Sequence, residues 1–186
     1  MKKVISMLLV LVMLFVSVPL FASAADEDIA RMWICTQTSK NTGIKHVFLY
    51  FENFSDETIK VGKYNLAPGD EVSVGCFGTE GPRGGGVYYN LESELTHYNS
   101  LMAVSTMLDE DELEDVSRKI KSVNRWDPIF NCYYFASRAW NAGAEKDVPF
   151  LIFPAFARYF IKMNGGFPEP FNVFAEKRPV YKQTEL

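Results

Sequence analysis

Histidine and cysteine are scarce in this sequence, and they lack the spacings in which these residues bind metals. Of the 186 residues, two are histidine and three are cysteine, and no C-x-x-C or H-x-x-x-H pair occurs. Structural zinc sites and helix-borne catalytic zinc sites use such closely spaced ligands. Metal binding is therefore disfavoured.

The sequence also lacks a basic run. Nineteen Lys and Arg residues stand against 23 Asp and Glu residues. Two of the lysines lie in the leader described next, which holds no acidic residue, so the rest of the chain carries a net charge of −6. This acidity argues against nucleic acid as a partner and against electrostatic docking on anionic lipid. No segment after the leader is long and apolar enough to span a bilayer.

The first residues have the three parts of a secretory signal peptide. Lys2 and Lys3 precede an uncharged apolar stretch over residues 4–18, Pro19 breaks the helix, and small residues follow at 22–24. A spanning helix needs about 20 apolar residues, more than this run offers. We predict cleavage near Ala24 and Ala25 and a secreted, extracellular product. The remaining 162 residues suit one domain.

The three cysteines all follow the predicted cleavage site. An odd number allows one disulfide at most and leaves one thiol over. Cys35 and Cys76 both lie in segments with strand character and are the candidate pair, while Cys132 stays reduced. In the alternative interpretation, all three are small buried apolar residues.

Strand patterns dominate the first part of the mature chain and helix patterns the second. Strands are expected around residues 32–35, 44–51, 58–61, 71–77 and 87–89, and the strand over 44–51 is apolar on both faces, as in a central strand. Helices are expected over 109–122, 131–142 and from Pro154 to about 164. The order predicts a single α+β domain over residues 25–166, with an antiparallel sheet packed on a helix, followed by an extended tail over 167–186.

Cys132 occupies a position that favours thiol chemistry. Asn131 is a suitable N-cap, which puts Cys132 at the first position of the helix. Backbone amides and the helix dipole stabilise an anion there, and the thiolate is the reactive form of cysteine. Taken alone, a cysteine at a helix start is more often a packing residue.

A thiolate nucleophile needs a base, and His46 is the better of the two histidines. His46 lies on a strand face that is otherwise apolar, where an imidazole must find a partner. If the helix over 131–142 covers that face, the ring reaches the sulfur. His97 lies in a polar segment and has the pattern of a surface residue. A strand histidine is also, more often than not, a satisfied core residue.

The segments Lys45-His46-Val47-Phe48-Leu49-Tyr50 and Asn131-Cys132-Tyr133-Tyr134-Phe135-Ala136 together resemble the circularly permuted branch of the NlpC/P60 papain-like superfamily. That branch includes the lecithin:retinol acyltransferase-like proteins, and in it the histidine strand precedes the cysteine helix. The resemblance covers about residues 30–142. It implies Cys132 as nucleophile and His46 as base, with a third polar residue that orients the imidazole. Glu52, Asn53 and Thr58 are the candidates near the histidine strand, and we select Asn53.

The resulting expectation is a secreted cysteine hydrolase or acyl-transfer enzyme that needs no cofactor. Cys132 attacks the carbonyl of an amide or ester, and the Cys132 amide stabilises the oxyanion. The resemblance implies a cell-wall peptide, another peptide or an acylated amine as substrate. The alternative is a non-catalytic exported binding module of the same fold that contacts cell wall or another protein.

Overall fold

The computed structural model describes residues 27–37, 46–79, 81–94, 101–123, 125–149, 153–169 and 178–186. The predicted signal peptide and His97 lie outside these residues. Within them the chain forms one α+β domain, with an antiparallel sheet and three α-helices, as the sequence predicts.

The described residues form nine strands in two sheets. Their bounds are β1 Ala30–Gln37, β2 Val47–Asn53, β3 Ile59–Val61, β4 Tyr64–Leu66, β5 Glu71–Phe77, β6 Gly86–Tyr89, β7 Leu101–Leu108, β8 Phe167–Glu169 and β9 Tyr181–Lys182. The main sheet has the order β8-β7-β1-β2-β5-β6-β9, and every neighbouring pair in it is antiparallel. Strands β3 and β4 pair only with each other.

Strand β2 lies at the centre of the main sheet, between β1 and β5. Six of its seven residues are buried, so apolar side chains are covered on both faces of the sheet. The prediction of a central strand is confirmed. Leu49 faces Ile34 of β1 and Val74 of β5, and this apolar row forms part of the main core.

The three helices are α1 (Glu110–Lys121), α2 (Cys132–Trp140) and α3 (Ala157–Met163), with a 3₁₀ turn over Pro154–Phe156 leading into α3. Asp109 and Glu112 form the predicted capping box at the start of α1. All three predicted helices are confirmed, with ends shifted by a few residues. No helix in the described ranges is long and apolar enough to cross a bilayer.

Helix α2 lies on the face of the sheet opposite to the one that the sequence argument favoured. Its buried residues Phe135, Ala136 and Ala139 belong to the same apolar cluster as Val47 and Leu49 of β2. The alternate residues Phe48 and Tyr50 belong to a separate cluster on the other face. Cys132 still contacts His46, because His46 precedes β2 and lies at the end of the sheet, near the start of α2.

Two further parts of the fold differ from the sequence prediction. Strand β7 was not predicted, although it pairs with β1 along the full length of β1. The region predicted as an extended tail adds strands to both edges of the sheet, since β8 pairs with β7 and β9 pairs with β6. Gln183 is buried there and donates to the backbone oxygen of Val123.

The candidate disulfide between Cys35 and Cys76 is absent, and none of the three cysteines is in a disulfide. Cys35 faces Phe48, and Phe48 faces Gly75, so Cys76 points to the other face of the sheet. Strands β1 and β5 are also separated by β2, a distance of roughly 10 Å, whereas disulfides need Cα atoms within about 7 Å. The pairing is therefore excluded by the geometry of this sheet.

Candidate active site

The side chain of Asn131 caps the start of α2. Asn131 Oδ1 accepts hydrogen bonds from the backbone amides of Tyr133 and Tyr134, at 3.0 and 3.2 Å. Asn131 Nδ2 donates to the backbone oxygen of Pro128, which ties the cap to the preceding loop. The prediction of Asn131 as N-cap is confirmed, and Cys132 is the first residue of the helix.

The sulfur-bearing side chain of Cys132 and the imidazole of His46 are hydrogen-bonded to each other. Both residues are almost closed off, with 6% of Cys132 and 7% of His46 exposed. The ring of Phe77 packs on the imidazole with a centroid distance of 4.3 Å. The structure thus brings together the two residues that sequence reasoning selected, in an apolar setting that excludes most water.

Glu92 is the second polar partner of His46. Its Oε1 atom lies 3.0 Å from His46 Nε2. Its other oxygen, Oε2, accepts a hydrogen bond from the hydroxyl of Ser73 at 2.6 Å. Glu92 lies in a short 3₁₀ helix over Leu91–Glu94 and has no exposed surface. A carboxylate can only accept, so His46 Nε2 is the donor in this pair.

These contacts determine the protonation of His46. Burial alone lowers the pKa of the imidazole, because it disfavours the charged form. The hydrogen bonds with Cys132 and with Glu92, and the charges of both, act in the opposite direction and prevail, so the pKa of His46 is raised to about 9. His46 is therefore an imidazolium at neutral pH, held between a sulfur and a carboxylate.

Gly75 provides the space for this arrangement. A Cβ atom at position 75 would lie 2.0 Å from Glu92 Oε1 and 2.8 Å from His46 Nε2. Both distances are far below van der Waals contact, so any larger residue would displace the carboxylate or the ring. A glycine inside a strand marks such close approaches.

The structure does not bring Asn53 to this site. Asn53 is the last residue of β2, and His46 precedes the first, so about seven strand residues, roughly 20 Å, separate them. The Asn53 side chain instead organises the turn after β2: its Nδ2 donates to the backbone oxygens of Glu57 and Leu66. The expectation that Asn53 lies beside the imidazole is therefore wrong, and Glu92 is the carboxylate that contacts His46.

Sequence reasoning missed Glu92 because the contact is not local. The residue lies 46 positions after His46, in a segment that reads as polar surface. Two signals were available. Gly75 interrupts an apolar strand, and Asn90, a residue type that favours turns, directly follows the Tyr88-Tyr89 pair, although neither points to Glu92 itself.

Comparison with protein-family models, with curated proteins and with solved structures gives no match for this chain. Within the described part of the chain, no group of three or more His, Cys, Asp or Glu side chains could hold a metal ion. The chemistry of the site must accordingly be argued from its own residues.

Proposed function

We propose that this protein is a thiol hydrolase or acyl-transfer enzyme of the permuted papain-like type, with Cys132 as nucleophile, His46 as acid and base, and Glu92 as the residue that orients the imidazole. One observation carries the proposal: the His46 ring is hydrogen-bonded to Cys132 on one side and to a fully buried carboxylate on the other. The order of histidine before cysteine matches the resemblance described above.

The two ring nitrogens have separate roles in this proposal. Nε2 donates to Glu92, so the other nitrogen, Nδ1, serves Cys132. With the pKa of His46 at about 9, the proton stays on the ring at neutral pH, which favours a thiolate–imidazolium pair. Helix α2 adds its positive N-terminal end behind the sulfur.

Catalysis would proceed in two transfers. The Cys132 thiolate attacks the carbonyl carbon of an amide or ester and forms a thioester, and His46 gives its proton to the departing amine or alcohol. Water, or a second amine in acyl transfer, then attacks the thioester. His46 takes the proton of that attacking group, and the Cys132 thiolate leaves. Glu92 accepts from Nε2 and keeps the ring in the required tautomer.

The backbone amide of Cys132 is the proposed oxyanion donor. Helix α2 begins at Cys132, so the Cys132 amide belongs to the first turn, where backbone N–H groups point toward the N-terminal end of the helix. An amide at a helix start points toward developing negative charge. We propose a peptide, a cell-wall peptide or an acylated amine as substrate, in keeping with the resemblance, and a secreted product that meets it outside the cell.

Selective alkylation tests the proposal. The protein is treated with iodoacetamide near pH 6, where an ordinary thiol is largely protonated, and the three cysteines are resolved by mass spectrometry. Cys35 and Cys76 are buried strand residues that form no disulfide and do not lie at a helix start, so they serve as internal references. We expect fast labelling of Cys132 that is lost in His46→Ala.

A non-catalytic binding module is the second candidate, and exposed large apolar residues favour it. Phe153, Phe156, Tyr159 and Met163 along the turn and helix α3 are each more than half exposed, and large exposed apolar patches mark interaction sites. If Cys132 reacts no faster than a free cysteine, the binding module is preferred. If it reacts only after unfolding, Cys132 is a packing residue.

A further inference from the structure

The Glu92 carboxylate is held by more than His46. Ser73 is 2% exposed and donates its hydroxyl proton to Glu92 Oε2 at 2.6 Å. The two Glu92 oxygens are therefore directed to two different donors, and a rotation of the carboxylate would break both contacts.

Asn90 determines where the Glu92 backbone lies. It adopts a positive φ of 62°, which turns the chain from strand β6 into the 3₁₀ helix that carries Glu92. Its backbone amide donates to the oxygen of Ser73 at 2.9 Å, and its Oδ1 accepts from the amide of Ser73 at 3.3 Å. Asn90 and Ser73 are thus joined by both backbone and side chain.

The C-terminal segment, residues 178–183, supports this turn from outside. Asn90 Nδ2 donates to the backbone oxygen of Pro179 at 3.2 Å. Val180 packs against the cluster of Phe77, Tyr88 and Leu91. Phe77 is also the residue whose ring covers His46, so the segment contacts both the Glu92 turn and the aromatic cover of the site.

We propose that Ser73 and Asn90 are positioning residues of this site, and that they hold the Glu92 carboxylate against His46 with the C-terminal segment as their anchor. Ser73 acts directly on the carboxylate. Asn90 acts through the turn, which it fastens to β5 and to Pro179. The catalytic role of these two residues rests on the proposed function. Their effect on the position of Glu92 can be measured without it, from the titration of the His46 imidazole.

The test uses three variants of the full chain. Ser73→Ala removes the hydroxyl, and Ser73→Thr restores it. Asn90→Gly removes both side-chain hydrogen bonds and still allows the positive φ, which glycine adopts without strain. Ser122→Ala is the matched control, since Ser122 donates only to the exposed end of α1. Two readouts are recorded: the NMR titration of the His46 imidazole, and the pH profile of Cys132 alkylation.

We expect Ser73→Ala and Asn90→Gly to lower the pKa of His46 and to slow Cys132 alkylation near pH 6 at least about tenfold, as misplaced catalytic groups do. Ser73→Thr and Ser122→Ala should retain the parent pKa and rate. A His46 titration that is the same in the parent, Ser73→Ala and Asn90→Gly overturns the inference. Should the parent itself lack fast Cys132 labelling, the proposed function fails, and the His46 titration still decides the positioning.

Discussion

Glu92 Oε1 lies 3.0 Å from His46 Nε2, and the same imidazole is hydrogen-bonded to Cys132. The carboxylate comes from the chain segment after β6, the histidine from the start of β2, and the cysteine from the start of α2. Three elements distant in sequence therefore meet at one end of the sheet.

Substitutions of Glu92 and of Asn53 should have different effects, the first on the reactivity of Cys132 and the second on stability. Glu92→Gln removes the charge that favours the imidazolium, so we expect Cys132 alkylation near pH 6 to slow by at least about tenfold. Asn53→Ala should leave that rate unchanged and lower the free energy of unfolding by about 1–3 kcal/mol, because the buried oxygen of Leu66 loses a donor. Alkylation and urea unfolding of both variants provide the check. Slow Cys132 alkylation in Asn53→Ala, together with a parent-like rate in Glu92→Gln, would refute the assignment of Glu92 as the partner of His46.

Gly75→Ala should damage the site more than the fold. The added methyl would lie 2.0 Å from Glu92 Oε1, so the carboxylate must move away from His46. We expect fast Cys132 labelling to be lost, with a destabilisation of about 1–3 kcal/mol from overpacking. Gly85→Ala is the control, since its methyl would meet neighbours only at 3.5 Å and beyond. Equal Cys132 labelling in the parent and in Gly75→Ala would mean that the reactivity of Cys132 does not depend on the position of the Glu92 carboxylate.

Variants of Asn131 distinguish helix capping from electrostatics. Asn131→Ala leaves the amides of Tyr133 and Tyr134 without their acceptor and should cost about 1 kcal/mol of stability. Asn131→Asp preserves the cap but places a negative charge next to Cys132. It loses the donor to the oxygen of Pro128, so it should be less stable than the parent but more stable than Asn131→Ala. It should also slow alkylation near pH 6, since a nearby anion disfavours the thiolate. Thermal melts measure the stability of both variants, and labelling rates measure the reactivity of Cys132. An Asn131→Asp variant whose Cys132 is labelled as fast as in the parent would contradict the electrostatic effect.

The raised pKa of His46 makes the stability depend on pH. The folded protein holds the imidazole proton up to about pH 9, whereas the unfolded chain releases it near the ordinary value of 6.5. The resulting stabilisation is fully present below pH 6.5 and is lost as the pH rises through about 9. Its size is at most about 3 kcal/mol. Urea unfolding of the parent and of His46→Phe from pH 6 to 10 should show the gap between them narrowing; a constant gap would disprove the coupling.

Much of this fold follows from local sequence. The helix caps Asp109 and Asn131 were predictable because a capping side chain acts within three residues of its own position. The central strand was evident from continuous apolar residues. Strand β7 was missed because its pattern lies between a polar segment and the α1 cap, and only its pairing with β1 makes it a strand.

The candidate site was predictable only in part. Cys132 carries a local signal, its position after an N-cap, and His46 stands out as a polar residue in an apolar run. Glu92 depends on the register between β5 and β6 and on the left-handed turn at Asn90, neither of which sequence spacing expresses. The sequence argument needed α2 to pack on the face of β2 that carries His46, and this was wrong. Alternation along β2 does not indicate on which face a later helix packs.

His46 is shared between Cys132 and Glu92, and an NMR titration of the imidazole reports on both contacts. The chain has two histidines, so a His97→Gln variant assigns the signals. In the parent, His46 should titrate near pH 9, and Cys132→Ala and Glu92→Gln should each lower that value. A His46 that titrates at its ordinary value in the parent, or that does not respond to either substitution, would contradict the account.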